Sequence, residues 1–413
     1  MKINKIVASL FTVGVMATPL AHATNGDEML AVGSQSTALG GSGVANFIGA
    51  DSTWANPAML GKSTGAEVTG GVVVFKPKVT NTGMPAGGGA EATSSANTSY
   101  IPDVAYSSRI SDNLSYGVAV AGIAGMGVDY TGANPASHMM AKSALSILRV
   151  VPTIAYNDKD YGAGFSPIFQ SGSLMLSYVG AGGPYNAAEK KESSTGFGYS
   201  LGGYYNVSPG VTVAASYQSE IAAEYGTQIS GAGNGFGLCQ PAGGGCTGAA
   251  PFGDDLNQPA EIKAGVAYTM SEITLTADYK QIKWGSAAGY KDFAWEDQTI
   301  LAIGAKYAAD GYWLGLGYNK ADDPIGTLPA ASGAAGEYRN SAINLFNNMF
   351  FPAIVENSYT FGGGYDISNV MAIEAAAVIS PKVEKTVDVA NFGGTNTTTH
   401  SQSSYSVSLR YKF

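Results

Sequence analysis

Residues 404–413 alternate without a fault. Tyr405, Val407, Leu409, Tyr411 and Phe413 share one face of a strand, and Ser404, Ser406, Ser408, Arg410 and Lys412 share the other, because side chains reverse direction at every residue. One face is oily with aromatic ends; the other is wet. Lipid outside and water inside a transmembrane β-barrel demand this pattern. The edge of a soluble β-sandwich can carry it too, so the rest of the chain has to decide.

The opposite end points the same way. Lys2 and Lys5 precede a mostly apolar run from Ile6 to Met16, then Pro19 and Ala21-His22-Ala23 supply a break and a cleavage site. We read residues 1–23 as a secretory signal peptide cleaved before Thr24, since its apolar core is too short to span a bilayer. No later window approaches 18 consecutive apolar residues, the length a spanning helix needs. Charged residues make up only 13% of the chain while hydrophobic ones make up 45%, against about 25% charged in an ordinary soluble domain. Such a balance suits a barrel whose apolar residues occupy alternate positions. The net charge is −9 with no basic cluster, which excludes a nucleic-acid partner.

Alternating segments broken by turn residues recur at 66–80, 98–110, 114–128, 143–157, 162–179, 193–206, 210–225, 258–270, 272–284, 297–309, 311–322, 355–367, 370–383 and 402–413. That is fourteen strands, an even number, as single-chain bacterial barrels have. The fold class is therefore all-β, a 14-stranded antiparallel barrel over 66–413. Ile273, Leu275, Ala277 and Tyr279 face lipid and Thr274, Thr276, Asp278 and Lys280 the lumen; Lys306 and Glu374 point inward likewise. Short turns such as Ser208-Pro209 and Asp310-Gly311 alternate with long connections at 81–97, 129–142, 180–192, 226–257, 285–296, 323–354 and 384–401, the periplasmic and extracellular ends respectively. Residues 24–65 lack strand alternation. Met29, Leu30, Leu39, Phe47, Ile48, Trp54 and Leu60 make them too apolar for a solvated tail, so we expect a hatch inside the lumen.

These pieces resemble the outer-membrane long-chain fatty-acid and hydrocarbon transporter family (FadL, TodX and OmpP1). The resemblance rests on Gly33 to Ala45, on Ala50-Asp51, on Trp54-Ala-Asn-Pro-Ala-Met-Leu60, on Asp255 to Gly265, on Trp284, which is similar to the family's ninth-strand tryptophan, on Asn347 to Glu356, and on terminal Phe413. It implies a passive outer-membrane transporter and no enzyme. It also implies a hydrophobic small-molecule ligand, surrounding lipid and lipopolysaccharide, a monomer, and no cofactor. The connection at 180–192 is shorter than the helical third extracellular loop of familiar members, so any outer groove must use 226–257 and 323–354 instead.

Candidate sites follow. Asn56, Pro57 and Ala58, with Trp54 and Phe47 beside them, are either a moving gate or a simple turn. Gly122, Gly125 and Gly127 crowd the third strand, where glycine marks bulges and kinks; the resemblance implies a window in the wall there, and ordinary glycine enrichment is the alternative. Leu345, Phe346, Met349, Phe350 and Phe351 form a loop oddly apolar for water, which with Phe236, Leu238 and Phe252 either lines a ligand groove or closes the mouth as a lid. Cys239 and Cys246 are spaced for a local disulfide in an outer loop, or are two free thiols. The lumen charges Asp278, Lys280, Lys306 and Glu374 either position a carboxylate or pair with one another. His138 and His400 stand alone, so no metal site is expected. The run Gly40-Gly-Ser-Gly43 follows no strand and is no dinucleotide loop. We find no catalytic set.

Overall fold

Alternation over 10–20 residues becomes a closed cylinder. The computed structural model describes residues 25–180, 182–236, 238, 252–330 and 335–413; the leader and both cysteines, Cys239 and Cys246, lie outside them. Fourteen wall strands run in chain order: β1 Glu67–Asn81, β2 Ser99–Ser111, β3 Leu114–Asp129, β4 Lys142–Asn157, β5 Tyr161–Gly180, β6 Glu192–Ser208, β7 Val211–Gln218, β8 Glu261–Met270, β9 Ile273–Ile282, β10 Gln298–Ala309, β11 Tyr312–Ala321, β12 Asn357–Ser368, β13 Met371–Val389 and β14 Gly394–Lys412. Each pairs antiparallel with its neighbour, and β14 closes on β1 from Glu67↔Lys412 to Asn81↔Thr398. The lipid-facing row of β14, Tyr405, Val407, Leu409 and Tyr411, is exposed, while Ser406, Ser408 and Arg410 are buried inside. Among the described residues no helix is long and apolar enough to cross a membrane.

Three elements depart from the sequence expectation. Strand β7 stops at Gln218 instead of running to 225: Ile221 and Glu224 leave the wall to bridge Gln258 and Asp255, and Ile221 and Tyr225 become fully buried. Burial across the mouth won over continued pairing. Strands β13 and β14 are longer than expected, so 384–401 is mostly a hairpin turning at 390–393. Its outer part is rich in Thr, Asn, Lys and Glu on both faces, which erased the oily-wet alternation. Trp284 lies just past the end of β9 at Ile282, not inside the strand.

Residues 25–66 fill the lumen, held by wall side chains. The Asp278 carboxylate accepts from the Gly43 and Val44 amides at 2.7 and 2.9 Å, Ser42 meets Thr276 at 2.6 Å, and Asn319 donates to the Gly40 carbonyl at 2.9 Å. Backbone reaches the wall this closely because Gly317 has no side chain; a Cβ there would overlap the Gly40 nitrogen. Near the periplasmic end Arg410 pairs with Glu374 at 3.0 Å and with Glu67, donates to the Ile48 carbonyl at 3.1 Å, and faces Asp51 at 3.7 Å. One cation thus ties β14, β13, β1 and the hatch. Removing one partner of such a buried set typically costs about 3–5 kcal/mol. Arg410→Leu should lower the urea midpoint of detergent-solubilised barrel accordingly, and an unchanged midpoint would show that the cluster is not a fastener.

Candidate functional site

Asn56, Pro57 and Ala58 form a foot that is pinned in place. The Asn56 side chain accepts from the Ala58 amide at 3.0 Å, capping a short 3₁₀ helix over Pro57–Lys62, and donates to the Val44 and Gly203 carbonyls at 2.9 and 3.2 Å. Gly164 and Gly202 clear the wall for it; a Cβ on either would overlap Pro57–Ala58 backbone or the Asn56 amide. Half-buried Phe47 packs against Ala58, Met59 and Tyr204, and half-buried Trp54 against Val151, Ile168 and Ile221.

The wall has a seam on the other side of the lumen. Strand β3 pairs with β2 only from Ser111↔Leu114 up to Asp103↔Ala121. Its ladder with β4 continues to Asp129↔Lys142 but skips Ile123, a bulge between Gly122 and Ala124. Above Ala121 the hatch takes the place of β2: Met29 donates to the Ile123 carbonyl and Gly125 to the Asp27 carbonyl, both at 2.8 Å. Gly122 and Gly125 flank the bulge; at Gly127 β3 and β4 approach so closely that a Cβ would overlap the Ser143 carbonyl. The glycines signalled the bulge. Nothing in the sequence signalled that residues 25–29 would cover it.

Over the hatch lies an apolar column built from the loops. An α-helix at Ala335–Phe350, inside the long connection, places Ala342, Phe346, Met349 and Phe350 on one buried side at helical spacing. Phe346 stacks on Phe293 at 4.9 Å between centroids and Phe293 on Phe252 at 4.8 Å, while Phe236 meets Phe346 edge-on at 5.5 Å. Leu238, Leu345 and Phe351 join the same cluster. All eight candidate groove residues therefore come together, each no more than 9% exposed. They do not line an open groove as expected, because water would penalise that much bare aromatic surface. A cavity of about 20 Å³ remains between Met126, Leu174, Tyr290, Phe293, Trp295, Phe346 and Phe351, room for about one water, so anything larger must displace side chains. Outside the cluster, a recess of about 400 Å³ is lined by Met84, Met139, Tyr178, Phe236, Tyr338 and Phe392.

Below the column, where Ile123 and Ile300 end it, lies a polar cavity of about 90 Å³. Lys280 bridges Glu28 and Glu261 at 3.0 Å each, and Lys263 reaches Glu261 at 3.1 Å. Arg149, which sequence reasoning missed, is 4% exposed and lines this cavity. Its Nε and Nη1 donate to the neutral Gln170 and Gln218, and its Nη2 has no hydrogen-bond partner among the described residues. The sequence hint was a lone Arg on the inward face of an otherwise apolar strand. The anticipated lumen charges are absorbed elsewhere: Asp278 and Lys280 hold the hatch, Glu374 holds Arg410, and Lys306 reaches Gln35 at 3.4 Å.

Asp27 is also buried, and desolvation pushes its carboxyl up to about 7 against hydrogen bonds from Tyr290 and Gln258 that pull it down. The seated hatch therefore holds this proton more tightly than a released one, and its seating weakens as pH rises from about 4 through 7. Exchange of the Met29 and Gly125 amides, corrected for intrinsic chemistry, should be faster at pH 8 than at pH 5; equal protection would contradict this. Met349→Ser with Phe350→Ser should cost several kcal/mol of stability through cavities and a stranded hydroxyl, read as a lower melting temperature, and should weaken binding of a dodecyl-chain probe.

The spacing Gly198-Tyr199-Ser200-Leu201-Gly202 matches that of a nucleophile elbow. It lies in the middle of β6 with no strand-to-helix turn and no histidine beside it in the ladder, so it is wall, not catalyst.

A model of the outer membrane protein transport protein family (OMPP1/FadL/TodX) matches residues 14–413. Among solved structures, a Pseudomonas aeruginosa FadL homologue superposes with a TM-score of 0.69 at 15% identity, covering 94% of this chain and 100% of that one. The P. putida toluene transporter TodX gives 0.65 at 18% identity over 93% and 99%, and the Ralstonia pickettii toluene transporter TbuX 0.61 at 17% over 93% and 99%. No curated protein matches by sequence.

Proposed function

This chain belongs to the outer membrane protein transport protein family (OMPP1/FadL/TodX), the family of outer-membrane transporters for hydrophobic compounds, and from that premise we propose that its own ligands are long-chain fatty acids taken up passively. The observation that carries the acid class is the buried Arg149 guanidinium at the foot of an apolar column, whose Nε and Nη1 donate to neutral glutamines and whose Nη2 is unused. Glu28 and Glu261 line the same cavity and supply counter-charge to it; the unused Nη2 is the donor that a ligand carboxylate would take, since charge-assisted hydrogen bonds are about twice as strong as neutral ones. A bare hydrocarbon offers nothing there.

The geometry supports the following route. The outer recess holds the ligand first, and the aromatic column takes the acyl chain once its side chains part. The head then reaches Arg149, level with the bulge of β3. Exit is sideways through the seam between β2 and β3 once residues 25–29 withdraw. Delivery straight to water would forfeit about 0.8 kcal/mol per CH₂, roughly 10 kcal/mol for a long chain, whereas release into the bilayer keeps most of it. Aromatic hydrocarbons are the competing substrate class. In cells lacking other uptake routes, Arg149→Leu should reduce palmitate uptake roughly tenfold or more and leave toluene uptake unchanged. Undiminished palmitate uptake, with equal surface expression, would overturn the acid reading; wild-type uptake of toluene and not palmitate would establish the competing one.

A further inference from the structure

The strip that covers the seam is held from two directions. From the wall, Lys280 of β9 binds Glu28 at 3.0 Å. From the loops, the Tyr290 hydroxyl donates to the Asp27 carboxylate, and Gln258 donates to the same oxygen at 3.2 Å. Asp27 Oδ1 has no hydrogen-bond partner among the described residues, so one oxygen carries the whole loop-side contact. Beside it, Gly26 at φ +68° lies flat beneath Trp284, where a Cβ would stand 2.5 Å from the ring.

Tyr290 also belongs to the column. Its ring packs on Trp284 and Trp295 at 4.6 and 4.9 Å between centroids and lines the small cavity with Phe293 and Phe346. A ligand that cannot fit without moving rings therefore meets the one ring whose hydroxyl holds the strip. Lys280 lines the polar cavity below and Tyr290 the small cavity within the column, so an apolar chain entering the column meets Tyr290 first.

We infer that Tyr290 and Asp27 form a latch: entry of an apolar chain into the column rotates the Tyr290 ring, leaves Asp27 with the Gln258 hydrogen bond alone, and so weakens the loop-side hold on the strip while its two backbone hydrogen bonds to β3 and the Lys280–Glu28 pair remain. Tyr290 is thus a positioning residue for the exit, acting through Asp27 and not on the ligand's head. The sequence of events rests on the reading that ligand enters this column; the resting grip of the latch does not.

The test is amide exchange in nanodisc-embedded barrel, read on peptides covering 25–32 and 120–128, with dodecanoate, dodecane or neither. Tyr290→Phe keeps the ring and removes only the hydroxyl. At pH 8, where Asp27 is ionised, and without any probe it should speed exchange of the Met29 and Gly125 amides roughly tenfold or more, the loss expected for one hydrogen bond to a charged group. In the wild type, dodecanoate should produce the same speeding, and in Tyr290→Phe it should add nothing. Probe-free exchange in Tyr290→Phe equal to wild type, with normal heat-modifiable migration of the folded barrel, overturns the latch. Wild-type exchange that responds to dodecane and not to dodecanoate supports the latch while refuting the fatty-acid reading. Asp27→Asn, which keeps an acceptor for Tyr290, should fall between wild type and Tyr290→Phe.

Discussion

A membrane wall cannot leave backbone amides and carbonyls unpaired, since hydrocarbon offers them no partner and each costs several kcal/mol. Closure of β14 on β1 leaves no free edge strand; the β4–β5 ladder is interrupted only between Val150↔Phe169 and Ile154↔Phe165, where Pro152 faces Pro167, and the upper part of β2–β3 is the place where the hatch supplies the pairing. There the pairing is completed by the protein's own leading segment, through Met29 and Gly125. Cover made from the chain's own hatch can be withdrawn; a wall strand cannot. The remaining features, from the pinned foot to the aromatic column, gain their meaning from that difference.

The hatch accordingly has a fixed half and a releasable half. Asn56, the 3₁₀ turn and the Arg410 cluster tie residues 40–62 to the wall through glycine-cleared seats and buried charge. Residues 25–29 touch the wall through two backbone hydrogen bonds, the Glu28–Lys280 pair and the packing of Met29 on Val73, Phe75 and Ile101, and the loops through the Asp27 carboxylate. Local opening draws on the least protected segment of a fold, and here that segment is also the one covering the seam.

Much of this was legible in the sequence because the bilayer imposes a strict rule on alternate residues. The lipid and lumen faces of β9, β10 and β14 were assigned from that rule alone, and Thr276, Asp278 and Arg410 point inward as it requires. Where lipid ends, the rule ends. The upper halves of β13 and β14 rise beyond the lipid and pack one face on the Ala335–Phe350 helix through Val387, Val389, Asn396 and Thr398, so their Thr- and Lys-bearing residues looked like loop. The Ala335–Phe350 helix was hidden by buried asparagines: Asn344, Asn347 and Asn348 satisfy backbone groups of neighbouring loops, such as the Phe293 carbonyl at 2.7 Å. Arg149 and Tyr290 escaped notice because their roles depend on partners 69 and 263 residues away in the chain.

The unequal strand lengths give the cylinder an oblique rim. A strand of nineteen residues in β13 or β14 is roughly 60 Å long and rises about 45 Å at the usual tilt, well beyond a hydrocarbon core of about 30 Å. Strands β7, β8, β9 and β11, with 8–10 residues, rise only about 19–24 Å at the same tilt and fall short of it. The tall side is stiffened by a long backbone ladder with one irregularity between Ser380 and Val383, whereas the roof over the low side is paired through isolated bridges such as Ile221 with Gln258 and Glu224 with Asp255. When the roof yields to an incoming molecule, it must yield over the low side, and that is the side from which the Tyr290 loop springs.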